Sequence, residues 1–291
     1  MQTMTEYFLG GNTAQGFYSL YDSFCPPRGG IFLWVIKGGP GCGKSTFMKT
    51  IAAAAEEAGL VAERVRCSGD PHSLDAVCIP AWNVGYVDGT APHVLDVPYP
   101  AAAGAYLDLG QFYDIAAVRA KLSLIVSLNS AYKSRYREAY ALLRAEDAPE
   151  EVEPWQQHAA PRFARAITCE GLCDLTPAKA ERLPARELSA RAEASVLLGR
   201  QIIDLRSPLH PARSEGFFLP DSGVCCRLDD AAAEERLAEV CERVCPILAQ
   251  AKALHDELEA LYNPHVDFAG VHALARSLPS PVFLLHSSTF L

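Results

Sequence analysis

No stretch of this chain narrows its folding options more than Lys37-Gly38-Gly39-Pro40-Gly41-Cys42-Gly43-Lys44-Ser45-Thr46. Gly38, Gly43, Lys44 and Ser45 satisfy the spacing G-x-x-x-x-G-K-[ST] of a phosphate-binding loop. Ile31–Ile36 before it is an apolar, partly β-branched run, which predicts a central parallel strand buried on both faces. After it, apolar residues recur at Phe47, Met48, Ile51, Ala52 and Ala55, a helical stripe that Gly59 terminates. Glycines let the backbone wrap an anion closely, and the unpaired N–H groups and dipole of the following helix attract it. The expected binding set for a nucleoside triphosphate is therefore Gly38, Gly39, Pro40, Gly41, Cys42, Gly43, Lys44, Ser45 and Thr46. Lys44 would neutralise the β- and γ-phosphates, and the Ser45 hydroxyl would ligate Mg²⁺.

Two further strands are expected at Val61–Cys67 and Asn83–Val87. The first ends in the turn Ser68-Gly69-Asp70-Pro71, the second runs into Asp88-Gly89-Thr90. A carboxylate at the end of an apolar strand is where a phosphate-loop protein holds Mg²⁺ through water, which selects Asp88, with Asp70 as its rival. No Glu follows Asp88, so a water-activating group must come from elsewhere. His93 and Asp96 lie within one loop of Asp88, and Asp70 and Asp75 on the loop of the neighbouring strand. His93 is then either a general base or phosphate sensor, or an ordinary loop histidine. Arg64 and Arg66 alternate onto one face of their strand, and nothing in the pattern carries either to a γ-phosphate.

The balance of charges restricts the partners. A net charge of -9 argues against broad electrostatic binding of nucleic acid. No apolar run is long enough to span a bilayer, and the opening residues predict no signal peptide, hence a cytoplasmic setting. The ten cysteines contain no Cys-x-x-Cys spacing, which favours small buried hydrophobes over a metal site or a disulfide framework.

Several stretches resemble one family: Tyr7–Gly16, the phosphate loop, Cys67–Asp75, and Asp88–His93 with Asp96. Together they look like an uncharacterised bacterial P-loop ATPase family whose members usually contain two P-loop halves in tandem. Phe163–Thr168, His255–Glu259, Tyr262 and Asp267-Phe268 look like its second half. The resemblance implies ATP binding in the cytoplasm and supplies no substrate. An internal echo accompanies it. An offset of 155 residues aligns Phe8 with Phe163, Thr13 with Thr168, Gly16 with Gly171 and Leu20 with Leu175. An offset of 140 aligns Gly59, Arg66, Pro71, Pro80 and Val84 with Gly199, Arg206, Pro211, Pro220 and Val224. At that offset the loop lands on Ala178–Arg186, which has no glycine and sets Pro184 opposite Lys44, so the second copy of the loop is degenerate.

The fold expectation is thus an α/β P-loop NTPase domain over residues 1–150, with a mainly parallel sheet flanked by helices. A degenerate P-loop-like α/β domain with long helices would occupy 151–291, and the acidic, proline-containing Glu146–Pro161 would mark the boundary. Helices are expected at Ile115–Ala145, Pro177–Leu198 behind the Thr176-Pro177 cap, and Asp229–Leu261, with Pro246 kinking or dividing the last. Leu237, Val240, Val244 and Leu248 form its packing stripe. Short strands are expected at Gln201–Leu205, Gly216–Leu219, Val224–Leu228 and Pro281–Leu285. Three functions fit: a Mg-dependent ATPase that couples hydrolysis to a conformational change, acting through Lys44, Asp88 and His93 on an unidentified substrate or protein partner; a small-molecule or nucleotide kinase with Asp70 or Asp75 binding the acceptor; and a nucleotide-binding switch without turnover. No Asn-Lys-x-Asp guanine motif occurs, which favours ATP over GTP.

Overall fold

A computed structural model of the protein describes residues 6–25, 30–97, 99–146, 165–175, 181–183, 202–203, 216–219, 223–226 and 231–278. Three short strands open it, β1 (Glu6–Phe8), β2 (Gly10–Thr13) and β3 (Gly16–Ser19). Next come β4 (Phe32–Lys37), α1 (Lys44–Glu57), β5 (Glu63–Arg66), β6 (Leu74–Ile79), β7 (Val84–Asp88) and β8 (Gly104–Asp108). Two helices follow, α2 (Ile115–Arg119) and α3 (Leu122–Glu146), and then the hairpin of β9 (Arg165–Thr168) and β10 (Gly171–Asp174). The remainder is β11 (Glu181–Leu183), β12 (Ile202–Ile203), β13 (Gly216–Leu219), β14 (Gly223–Cys226), α4 (Ala231–Tyr262) and α5 (Phe268–Ser277).

The chain forms two compact units that interleave along the sequence: Met1–Phe24, Arg66–His72 and Ala131–Ala253 in one; Cys25–Val65, Ser73–Ser130 and Leu254–Leu291 in the other. The residues from 147 onward in the expected boundary lie outside the described ones, as do Thr176-Pro177 and the strand expected at Pro281–Leu285.

The second of these units is mixed α/β. Its strands lie side by side in the order β5-β6-β7-β4-β8. β4 is parallel to both neighbours, pairing Ile36 with Asp88 of β7 and Lys37 with Asp108 of β8. β6 runs antiparallel to β7, with Ala76 opposite Val87. Every residue of β6 and β7 is buried, whereas β4 keeps Phe32, Trp34 and Lys37 half-buried. Burial on both faces, expected of β4, thus falls on β7 and, beyond it, β6. α1 packs the stripe Phe47, Met48, Ile51, Ala52 and Ala55 onto this sheet, all fully buried. At about 1.5–3 kcal/mol for each large apolar side chain, that stripe supplies much of the unit's core energy. Gly59, at φ 76°, ends the helix, with its N–H on Glu56 O and the Leu60 N–H on Ala55 O, the paired bonds of a Schellman cap.

The other unit has a separate core. Ala139 and Leu143 of α3, Ile167 of β9, and Leu237, Val240, Val244 and Leu248 of α4 close on one another. The expected stripe on α4 is therefore a packing face, and the helix continues through Pro246 as one element. Asn12, buried, donates from Nδ2 to Ile167 O at 2.8 Å and to Ser68 O at 3.4 Å, and accepts from the Tyr140 hydroxyl at 3.1 Å.

Two hairpins in this unit share one scheme at the 155-residue offset. Thr13 faces Gly16 across one turn, and Thr168 faces Gly171 across the other. Each threonine hydroxyl donates to the glycine carbonyl at 2.9 Å and accepts from the N–H two residues on. Each glycine adopts positive φ, 103° and 115°, which only glycine takes without strain. At the 140-residue offset, β13 and β14 form an antiparallel hairpin as β6 and β7 do, one residue shorter across the turn. The flanking strands depart from the echo. β11 lies within Ala178–Arg186, the segment set against the phosphate loop, and is there a strand paired with β13. β11 also replaces part of the helix expected at Pro177–Leu198, where pairing with β13 overrides the helical propensity of Glu181, Arg182 and Leu183. The rest of that helix lies outside the described residues, and no described helix is long and apolar enough to cross a membrane.

Candidate functional site

Between β4 and α1 the backbone turns through three left-handed glycines: Gly38 at φ 154°, Gly41 at 67° and Gly43 at 86°. Gly43 is the N-cap of α1, so the loop delivers its backbone to the positive end of that helix. Lys44 begins α1 and folds back over the loop, donating from Nζ to the carbonyls of Gly38 at 2.8 Å and Gly39 at 2.9 Å. Its ammonium also lies 3.6 Å from Oδ2 of Asp88, with both side chains only 12% exposed. Parallel pairing of β4 with β7 causes that approach, because it sets Asp88 level with Ile36 at the strand ends from which the loop departs.

Asp88 is held in place. Its Oδ1 accepts from the Thr90 N–H at 2.9 Å and the Thr90 hydroxyl at 2.6 Å, which leaves Oδ2 facing Lys44. The Ser45 hydroxyl accepts from the Leu74 N–H at 3.0 Å and so ties the loop to β6. That bond occupies one lone pair and leaves the hydroxyl oxygen a second.

The other carboxylates divide. Asp70, the rival metal ligand, belongs to the first unit, where its Oδ2 lies 3.5 Å from Lys252 Nζ and its Oδ1 accepts from the His72 N–H at 3.1 Å. Asp75 is a buried residue of β6, a strand where the sequence predicted a loop. His93 is buried as well, with Nε2 3.9 Å from Asp75 Oδ1. Asp96 accepts from the Tyr106 hydroxyl at 3.0 Å. Arg64 pairs with Glu56, holding that carboxyl below its usual range, and Arg66 pairs with Glu6 at 2.7 Å. Both guanidinium groups thus serve local ion pairs.

Sequence reasoning missed the outer wall of the loop. The Tyr113 hydroxyl donates to Pro40 O at 2.9 Å, and its ring lies 5.3 Å from that of Tyr262. With the Asn263 amide oriented so that its nitrogen faces the loop, it donates to Gly41 O at 2.8 Å and Glu259 O at 3.3 Å. A Cβ on Gly41 would stand 3.0 Å from Glu259 O, and one on Gly43 would stand 3.4 Å from the Phe268 ring. Residues 259–271 therefore press against the loop, although the resemblance grouped them with a second half. Cys42 is fully buried, and burial pushes its thiol above the ordinary cysteine range. Burial, and then proximity to Cys42, pushes the Tyr113 phenol up as well. Cys25, Cys42, Cys67, Cys78, Cys169, Cys173, Cys241 and Cys245 are free thiols, and Cys25, Cys42, Cys78 and Cys241 are buried.

No protein-family model, no curated protein and no solved structure matches this chain.

Proposed function

We propose that the loop Gly38–Thr46 is a P-loop that holds Mg-ATP, and that the chain hydrolyses it to drive a conformational change. The observation that carries the reading is Lys44, whose ammonium bridges the Gly38 and Gly39 carbonyls and lies 3.6 Å from Asp88 at the ends of parallel strands. A triphosphate entering the left-handed turn would take the ammonium from those carbonyls, while the loop N–H groups supply the remaining donors. Ser45 and Asp88 would hold Mg²⁺, whose charge would offset that building on the phosphate oxygens. Asp88 is fixed by Thr90 through Oδ1, which holds Oδ2 toward Lys44 and the turn where the ligand would arrive. His93, with Asp75 behind it, is the candidate base or sensor near that end of the sheet.

The family suggested by Tyr7–Gly16 and the loop supports ATP as the nucleotide. The matching turns at Thr13–Gly16 and Thr168–Gly171 support an origin by duplication. With no glycine in Ala178–Arg186, the reading gives one nucleotide per chain. A second reading, a switch that binds without turnover, is favoured by one observation: Gly89, not a carboxylate, follows Asp88.

The test is direct. Mg-ATP should bind at one per chain, and phosphate release should fall about a hundredfold or more in Lys44→Ala. Binding with no release, in wild type and variant alike, selects the switch. Two nucleotides per chain would contradict the degenerate second loop. Absence of any binding or thermal shift with millimolar Mg-ATP or Mg-GTP defeats the reading altogether.

A further inference from the structure

β4 lies between β7 and β8 and is parallel to both, so the loop leaves the sheet with one strand end on each side. Ligands of open α/β sheets lie across such strand ends. The β7 side carries Asp88, the expected metal and γ-phosphate side. On the β8 side the chain turns through a 3-10 helix, Leu109–Phe112, and then reaches the loop, where the Tyr113 hydroxyl donates to Pro40 O at 2.9 Å.

Just past that contact, two chain segments run antiparallel. Tyr113 pairs with Val266, the Asp114 N–H bonds His265 O at 2.8 Å, and the Asp267 N–H bonds Phe112 O at 2.9 Å. They frame an open cavity of about 320 Å³, lined by Gln111, Tyr113, Asp114, His265, Val266 and Asp267 among others. That volume is at the lower end of the ~300–1,000 Å³ common to small-molecule sites, room for one ring system. Its chemistry excludes the phosphates. Asp114 and Asp267 place two carboxylates on its rim, each with one oxygen used as a helix cap, on the Ala117 and Gly270 N–H groups. The second oxygens remain acceptors, and the Phe112 and Tyr113 rings supply apolar surface. His265 adds a buried Nε2 with no hydrogen-bond partner among the described residues.

The geometry points to this cavity as the site of the nucleotide's base, a planar heteroaromatic ring bearing an exocyclic amino group, as in adenine. The inference rests on the P-loop reading and deepens it. An amino group donates to the rim carboxylates, the ring lies along the aromatic wall, and Tyr113 joins that wall to the loop that holds the phosphates. Carboxylates would repel a second anion, so the polarity of the nucleotide follows: base toward β8, γ-phosphate toward β7.

Equilibrium binding of ATP, inosine triphosphate and inorganic tripolyphosphate, each with Mg²⁺, is measured on the full chain. Four proteins are compared: wild type, Lys44→Ala, Asp114→Asn, which retains an N-capping side chain, and His265→Ala. The expected result is that ATP binds about tenfold tighter than inosine triphosphate or tripolyphosphate in the wild type. Asp114→Asn and His265→Ala remove that preference and leave tripolyphosphate affinity unchanged, while Lys44→Ala weakens all three ligands. If tripolyphosphate binds as tightly as ATP, or both pocket variants weaken all ligands equally, the base site is overturned and the P-loop reading stands. If no ligand binds, or Lys44→Ala changes nothing, the P-loop reading falls and the base site with it.

Discussion

Replacing Gly41 with alanine tests the loop and its wall together. Gly41 holds φ 67°, where a residue with a Cβ is strained by about 1–2 kcal/mol. The added methyl would also lie 3.0 Å from Glu259 O and against the Asn263 side chain. A backbone carbonyl cannot swing aside as a side-chain tip can, so this overpacking adds about 1–3 kcal/mol. The sum is roughly 2–5 kcal/mol, a fall in melting temperature of roughly 4–20 °C for a protein of this size. Circular dichroism melting without nucleotide measures it, since a bound ligand would mask the loss. Asn263→Ala alone should cost about 1 kcal/mol, the usual net value of a hydrogen bond such as its amide makes to Gly41 O. In the double variant part of the Gly41→Ala penalty should vanish, because the side chain it strikes is gone while φ and Glu259 remain. A Gly41→Ala protein that melts within 1 °C of wild type would refute both the left-handed turn and the wall. Strict additivity of the two substitutions would place Asn263 away from the loop.

Asn12→Ala should destabilise the protein by about 2–4 kcal/mol, read by urea titration, because it strands the Ile167 carbonyl and the Tyr140 hydroxyl in a buried setting. Asp88→Asn should weaken Mg-ATP binding while changing Mg-free ATP binding much less, read by calorimetry in each condition; equal losses would argue against a metal role. Cys42, with its thiol pushed up by burial, should resist iodoacetamide at pH 8 in the folded protein and react freely in urea, mapped by peptide mass. The same shift stabilises the fold below the free thiol value of 9.0 and is lost as pH rises through the higher folded value, so stability should decline on the alkaline side.

The loop was legible because its geometry is written in residue types. Gly38, Gly41 and Gly43 occupy conformations that other residues avoid, and so do Gly16 and Gly171 in the paired hairpins. Asp88 could be found because an apolar strand stops at it. β6 was missed for the opposite reason. Leu74–Ile79 follows directly on a turn-forming stretch and carries Asp75 in its second position, so no alternation or long apolar run announces it. β8, Gly104–Asp108, has only Leu107 and Gly104 buried and gives as little signal. The wall was invisible for a physical reason: Asn263 meets Gly41 across more than two hundred residues, and its contact depends on tertiary placement, which leaves no local period. Helical composition misled at Glu181–Leu183, where a partner strand decided the outcome.

The order of synthesis gives that wall a further meaning. A ribosome releases the glycine turn early, yet the groups that brace it, Glu259, Tyr262, Asn263 and Phe268, emerge only much later. Until then the turn must survive on Tyr113 and its own helix, with Gly41 O unanswered. A nascent chain stalled before residue 259 should therefore capture nucleotide poorly, and competence should arise late and abruptly. Truncation at residue 150, natural by sequence alone, would make that immature state permanent.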